Sequence, residues 1–195
     1  AEIPGYKLRN AQMEDYEWQQ LNSAVERFSE VPIFIDDTPA INIFELRAKC
    51  RRLKMHHDIQ LVIVDYLQLM SAGPEGKRGG TREQEISTIS RALKTMAKEL
   101  EVPVIALSQL SRAVETRGGN KRPQLSDLRD SGAIEQDADI VTFIYRPDYY
   151  EMESDPTISK DAAEILISKH RNGALGTVGL KFIAQYAKFT DPGDD

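Results

Sequence analysis

The run Leu61-Val62-Ile63-Val64, closed by Asp65, restricts the possible folds of this chain more than any other segment. An uninterrupted apolar run of this length, rich in β-branched residues, suits a strand covered on both faces, as in a parallel sheet between helices. Parallel strands need helical crossovers, and the flanking sequence supplies helical patterns. Asn42 begins one, with Glu45 as its capping-box partner and Ile43, Leu46, Cys50 and Leu53 as a buried stripe. Thr81 and Gln84 open the longest, with Ile86, Ile89, Leu93, Met96, Ala97 and Leu100 along one face. That helix feeds a second predicted strand, Val104 to Ser108.

The same reading predicts an amphipathic helix from Gln12 to Ser29, striped by Met13, Tyr16, Leu21, Ala24, Val25 and Phe28, and a short strand at Ile33 to Ile35. Ile140 to Tyr145 is a further strand. Glu164 to His170 and Thr177 to Ala184 form a final pair joined through Asn172-Gly173. The loop Ser71 to Gly80 reads as mobile, as does the tail after Phe189, and the acidic stretch Asp148 to Asp161 as loop. Strands alternating with helices give an α/β fold: a mainly parallel sheet flanked by helices, with the terminal hairpin as an antiparallel edge. One domain over residues 1–195 suits this length.

Composition narrows the function classes. A lone Cys50 excludes a disulfide framework within the chain, and His56, His57 and His170 lack metal-ligand spacing, so a reducing cytoplasm is the expected compartment. No apolar run approaches the ~20 residues of a membrane span, and the first residues lack a signal-peptide core. The net charge of −6 argues against coating nucleic acid through overall basicity, although local basic patches can still bind phosphates. The basic face of Arg47, Lys49, Arg51, Arg52 and Lys54 reads as solvated surface.

Asp65 stands at the end of a buried strand, where α/β folds bind ligands and where a carboxylate can engage hydrated magnesium. Taken alone the pattern is weak, because many buried strands end in a polar residue. Between Leu110 and Pro123 lie Arg112, Arg117, Lys121 and Arg122 against Glu115, broken by Gly118-Gly119-Asn120, which reads as a flexible basic loop. Strand alternation puts Ile165, Ile167, Lys169 and Arg171 on one face, so Lys169 and Arg171 emerge together while His170 points away.

The segment Asp65-Tyr66-Leu67-Gln68-Leu69-Met70 resembles the Walker B motif of the DnaB family of bacterial replicative DNA helicases. VPVIALSQLSR from Val102, KRPQLSDLRDSGAIEQDADIV from Lys121 and ISKHRNG from Ile167 resemble later motifs of that family, in the same order and across essentially the whole chain. The resemblance implies a RecA-like motor domain that uses ATP and magnesium, assembles as a ring hexamer, moves along single-stranded DNA, and works with primase and a helicase loader. It implies that Asp65 holds the metal and that Gln109 senses the nucleotide; a strand-terminal cap is the plainer role for Gln109. Arg112, Arg117, Lys121 and Arg122 would face the DNA channel. Asp127 to Gly132 resembles the DNA-contact loop, with Arg129, Asp130 and Gly132 its candidate contacts; Ser131 serves equally well as a helix cap. Lys169 and Arg171 would reach the γ-phosphate held by a neighbouring subunit, against the simpler reading of an exposed hairpin tip.

A phosphate-binding loop needs G-x-x-x-x-G-K-[S/T], because closely spaced amides surround the phosphates while the Lys and hydroxyl meet the γ-phosphate and the metal. This sequence contains none, and the resemblance places that loop and the N-terminal collar domain upstream of Ala1. The chain therefore reads as part of an ATP-driven helicase, inactive alone, or alternatively as a non-catalytic DNA-binding or assembly module. A RecA-like recombinase shares the strand ending in Asp, but DYLQLM combined with LSDLRDSGAIEQDAD argues against it.

Overall fold

The computed structural model describes residues 1–73, 81–118, 121–150 and 161–193. In chain order its elements are α1 (Gly5–Asn10), α2 (Asp15–Ser29), α3 (Ile43–His57), β1 (Val62–Val64), α4 (Arg82–Leu100), β2 (Val104–Ala106) and α5 (Ala113–Thr116). There follow α6 (Gly132–Asp137), β3 (Ile140–Tyr145), α7 (Pro147–Tyr150), β4 (Ala162–His170), β5 (Gly176–Ile183) and β6 (Lys188–Thr190). Single 3-10 segments occupy Leu67–Leu69, Leu125–Ser131 and Ala184–Tyr186.

The α/β expectation holds, with the balance of strands shifted. β1 and β2 form a parallel pair, in register from Val62 opposite Val104 to Val64 opposite Ala106. The antiparallel part, expected as one hairpin, is a four-stranded sheet in the order β3-β4-β5-β6. β6 takes in Phe189 and Thr190, so Thr190, expected in a frayed tail, belongs to a strand, and the last two residues of that tail lie outside the described residues.

Two compact units divide the chain. The larger spans Asp36–Phe143 and Ile167–Gly176. Its core is built where the sequence pattern put it: Ile43 and Cys50 of α3, Val62 and Val64 of β1, and Ile86, Ile89, Leu93 and Met96 of α4 are buried together. Both helices start as their caps dictate. The Asn42 side chain accepts from the Glu45 amide at 2.9 Å, and Thr81 and Gln84 form a reciprocal capping box. Burial pushes the Cys50 thiol pKa up, in keeping with a packing residue. The basic face of α3 is engaged by acids: Arg47 and Arg51 both bind Glu99, and Lys49 meets Asp36 at 2.7 Å. Hydrogen bonds from Lys49 and Thr38 hold the Asp36 carboxyl down to about 2.

One expectation fails here. Among the described residues β1 is covered on one face; Val62 and Val64 point into the core, while Ile63 is 62% exposed and its partner across the ladder, Ile105, is 50% exposed. Alternation along a strand with helices packed on a single side produces this result whatever the residue type.

The smaller unit comprises Ala1–Ile35, Ile144–Leu166 and Thr177–Asp195. The helix predicted from Gln12 starts three residues later, because Glu14 and Glu17 cap each other at Asp15, and a separate helix, α1, precedes it. The expected apolar stripe is only partly what α2 buries: Ala24 is buried and Leu21 half-buried. Tyr16, Val25 and Phe28 are exposed, whereas Glu17 is buried between Lys7 Nζ at 2.7 Å and the Glu14 amide at 2.9 Å. The predicted strand at Ile33 to Ile35 is also absent, since no ladder partner lies beside it among the described residues and Ile35 is 88% exposed. In the same unit the Arg146 guanidinium stacks over Phe182 at 4.2 Å, and Phe182 packs on Phe189 with ring centroids 4.7 Å apart.

Candidate nucleotide and nucleic-acid site

Asp65 directly follows β1, on the exposed side of the alternation set by Val62 and Val64. The chain then turns through Leu67–Leu69, and the Leu67 amide donates to Leu107 O at 2.9 Å while the Leu107 amide donates to Val64 O at 2.9 Å. The two strand ends are thereby locked side by side, placing Asp65 and exposed Gln109 at the same carboxyl edge of the parallel pair. This is the edge at which open α/β sheets receive ligands.

The sequence reading missed the residue that joins them. The Gln68 amide donates to Ser108 Oγ at 3.0 Å and Gln109 O at 3.4 Å, and its oxygen accepts from the Gln109 amide at 3.2 Å. Arg82, the first residue of α4, donates in turn to Gln68 O at 2.7 Å and Met70 O at 3.2 Å and pairs with Glu85. A Gln inside DYLQLM was visible, but its partner lies forty-one residues on, beyond any local pattern.

Among the described residues no group of three His, Cys, Asp or Glu side chains could cage a metal ion. One exposed carboxylate suits magnesium nonetheless, because that ion keeps several waters and takes most of its remaining ligands from substrate phosphates.

The expected basic loop is closed at its base. Asp127, 4% exposed, binds the Arg117 guanidinium through one carboxylate oxygen and the Gln124 amide through the other at 2.8 Å, and its carbonyl accepts from the Ser111 amide at 3.0 Å. Arg117 also donates to Arg122 O at 3.3 Å. Of the cations expected at DNA, Arg117 is therefore engaged internally, Lys121 and Arg122 are half-buried, and Arg112 is exposed. Gly119, Asn120 and the side chains of Arg129, Asp130 and Ser131 lie outside the described residues. Gly132 is exposed, with helical φ of −53°, and a methyl group there would meet nothing within 4 Å. Neither backbone conformation nor internal packing requires a glycine at this position.

Lys169 and Arg171 do emerge together, as alternation predicted, and they meet the carboxyl end of α6. Lys169 Nζ donates to Glu135 O and Gln136 O, and Arg171 donates to Gln136 O at 3.3 Å. Arg171 also pairs with Asp139 at 3.3 Å, and the other Asp139 oxygen binds Lys94 of α4. The Lys94 hydrogen bond, followed by the charges of Lys94, Arg171 and Lys169, holds the Asp139 carboxyl below its ordinary range. His170 instead lies against the turn, where its ring occupies the space a side chain at Gly173 would need.

A parallel strand pair bridged by a long helix, with a carboxylate and an amide at its carboxyl edge, is an arrangement compatible with α/β domains of the RecA-like ATPase type. Two solved structures share this fold. One, described as an ATPase domain, has a TM-score of 0.87 and 44% identity, covering 97% of this chain and 66% of that one. Another, described as "The Structure Of A DnaB-Like Replicative Helicase And Its Interactions With Primase", has a TM-score of 0.86 and 44% identity, covering 96% of this chain and 44% of that one. The profile of the DnaB-like helicase C terminal domain matches residues 1–191, and the chain belongs to that family. It is 50% identical over 189 residues to replicative DNA helicase DnaB of Geobacillus stearothermophilus, and equally to replicative DNA helicase DnaC of Bacillus subtilis (strain 168). In both cases the match spans 97% of this chain and 40% of the relative's length.

Proposed function

We propose that this chain is the greater part of the motor of a replicative DNA helicase, which as a ring hexamer hydrolyses ATP, moves along single-stranded DNA and unwinds the duplex at the fork. The observation that carries this reading is the placement of Asp65 and Gln109 together at the carboxyl edge of the parallel pair, in a chain half identical to replicative helicases. Magnesium supplies charge neutralisation for the transferred phosphoryl group when bound. Asp65 would hold that ion with the nucleotide's phosphates, and Gln109 would read the state of the γ-phosphate, its main chain fixed by Gln68. Gln109 is not the general base, because an amide does not accept a proton usefully. Arg171, with Lys169, would stabilise charge developing on the phosphoryl group of the adjacent subunit's nucleotide.

Primase is a fitting partner, since a structural relative is described with it, and a helicase loader follows from the same family. A cytoplasmic setting at the replication fork agrees with the relatives' bacterial origin; among the described residues no helix is long and apolar enough to cross a membrane. The test is a strand-displacement assay with the full-length protein on a forked duplex. ATP-dependent separation that Asp65→Ala abolishes supports the reading, and nucleotide-independent separation or none rejects it.

DNA contact by the segment Leu125–Ser131 and the start of α6 makes a narrower prediction. A bare Gly132 lets a phosphate approach the backbone closely, so Gly132→Ala should weaken poly(dT) binding by about fivefold, the equivalent of one hydrogen bond of ~1 kcal/mol. Its melting temperature should stay unchanged or rise, because alanine is the better helix former. Titration and thermal melting of the same full-length variant check both; wild-type affinity at every salt concentration places Gly132 away from the strand.

A further inference from the structure

We propose that Asp139 is a positioning residue that links DNA occupancy in one subunit to hydrolysis at its neighbour's nucleotide, by holding Arg171 against the carboxyl end of α6. This proposal rests on the reading above, in which the segment before α6 meets DNA and Arg171 acts across the subunit boundary.

The connection is continuous and short. The 3-10 segment Leu125–Ser131, kinked at non-helical Leu128, leads directly into α6, Gly132–Asp137. Near the carboxyl end of α6, which closes at Asp137, the carbonyls of Glu135 and Gln136 accept from Lys169, and the Gln136 carbonyl accepts from Arg171 as well. Cations are favoured at a helix carboxyl end, where carbonyls are left without intrahelical donors. Two residues further on, Asp139 grips Arg171 twice: its carboxylate pairs with the guanidinium at 3.3 Å, and its carbonyl accepts from the Arg171 amide at 2.8 Å. The second carboxylate oxygen is fixed to Lys94 on α4, the longest helix and a packing partner of α6. Displacement of α6 by DNA therefore moves the acceptors of Lys169 and Arg171 relative to a carboxylate anchored on α4.

Stability gives little reason for the arrangement. Asp139 is exposed and Arg171 half-exposed, and an ion pair in that setting contributes little to folding. What the pair does fix is the direction of a planar guanidinium, on which its action at a phosphoryl group depends.

The experiment uses full-length hexamers carrying Asp139→Asn, Asp139→Glu or Arg171→Ala, with ATPase turnover measured without and with saturating poly(dT), alongside poly(dT) affinity and KM for ATP. Asparagine keeps the shape and removes the charge. The expected result for Asp139→Asn is a fall of about tenfold in the stimulation ratio, with DNA affinity and KM within about twofold of wild type, and recovery of at least half the ratio in Asp139→Glu. A purely structural role would lower stimulated and unstimulated turnover in proportion and leave the ratio alone, which overturns the proposal. So does a wild-type ratio in Asp139→Asn while Arg171→Ala is inactive; that outcome leaves the trans role of Arg171 standing. Normal turnover by Arg171→Ala rejects the trans role itself and the proposal with it.

Discussion

Rings assembled from full-length Arg171→Ala subunits alone, or from Asp65→Ala subunits alone, are expected to lose ATPase turnover by ~10³ or more, and mixing the two should restore part of it. Asp65 lies at the exit of β1, whereas Arg171 follows β4 and is held by the Gln136 carbonyl of α6 and by Asp139. An arginine acting across a boundary leaves each subunit's own nucleotide binding intact. In a mixed ring, an interface that pairs an intact Asp65 with an intact Arg171 from the next subunit is fully equipped, so activity should pass through a maximum as the ratio of variants is varied. Normal turnover by rings of Arg171→Ala alone would return Arg171 to a hairpin-tip role.

The 195-residue chain by itself should hydrolyse ATP at least ~10³-fold more slowly than the full-length hexamer. Phosphoryl transfer depends almost entirely on positioning and on charge stabilisation, and this sequence has no G-x-x-x-x-G-K-[S/T] to position the phosphates. Asp65 alone cannot supply what is missing, because magnesium on a single carboxylate depends on phosphate ligands that are themselves held. A steady-state assay with the purified chain decides the matter. Robust turnover, abolished by Asp65→Ala, would reveal a second way of holding phosphates on these residues.

What could be read from sequence was what depends on near neighbours. Asn42 with Glu45 and Thr81 with Gln84 are three residues apart, and both helix starts stand where those caps put them. The stripe of α4 and the alternation of β4, which brings Lys169 and Arg171 out together, are also local. Contacts made across the fold were not legible. The partners of Asp139, Lys94 and Arg171, lie far away on either side of it in sequence, so no local pattern marks it. Asp127 lay inside a quoted motif, yet its burial and its hold on Arg117 depend on the loop folding back. Apolar composition misled in two places: Ile33 to Ile35 has the composition of a strand but joins no ladder among the described residues, and Tyr16 and Phe28 occupy helical spacing yet are exposed.

The bare side of the parallel pair bears on how this chain should respond to temperature. Ile63, Ile105 and Leu107 are already hydrated in the folded state, so melting transfers less new hydrocarbon into water than a fully wrapped pair would. Hydration of apolar area is the chief source of the heat-capacity increase on unfolding. The increment per residue should accordingly fall below the usual ~12–15 cal/mol/K, giving a flatter stability curve with a shallow maximum. A partner that wrapped those side chains would steepen the curve as it raised it, so calorimetric curvature, as well as melting temperature, would register the covering of this face.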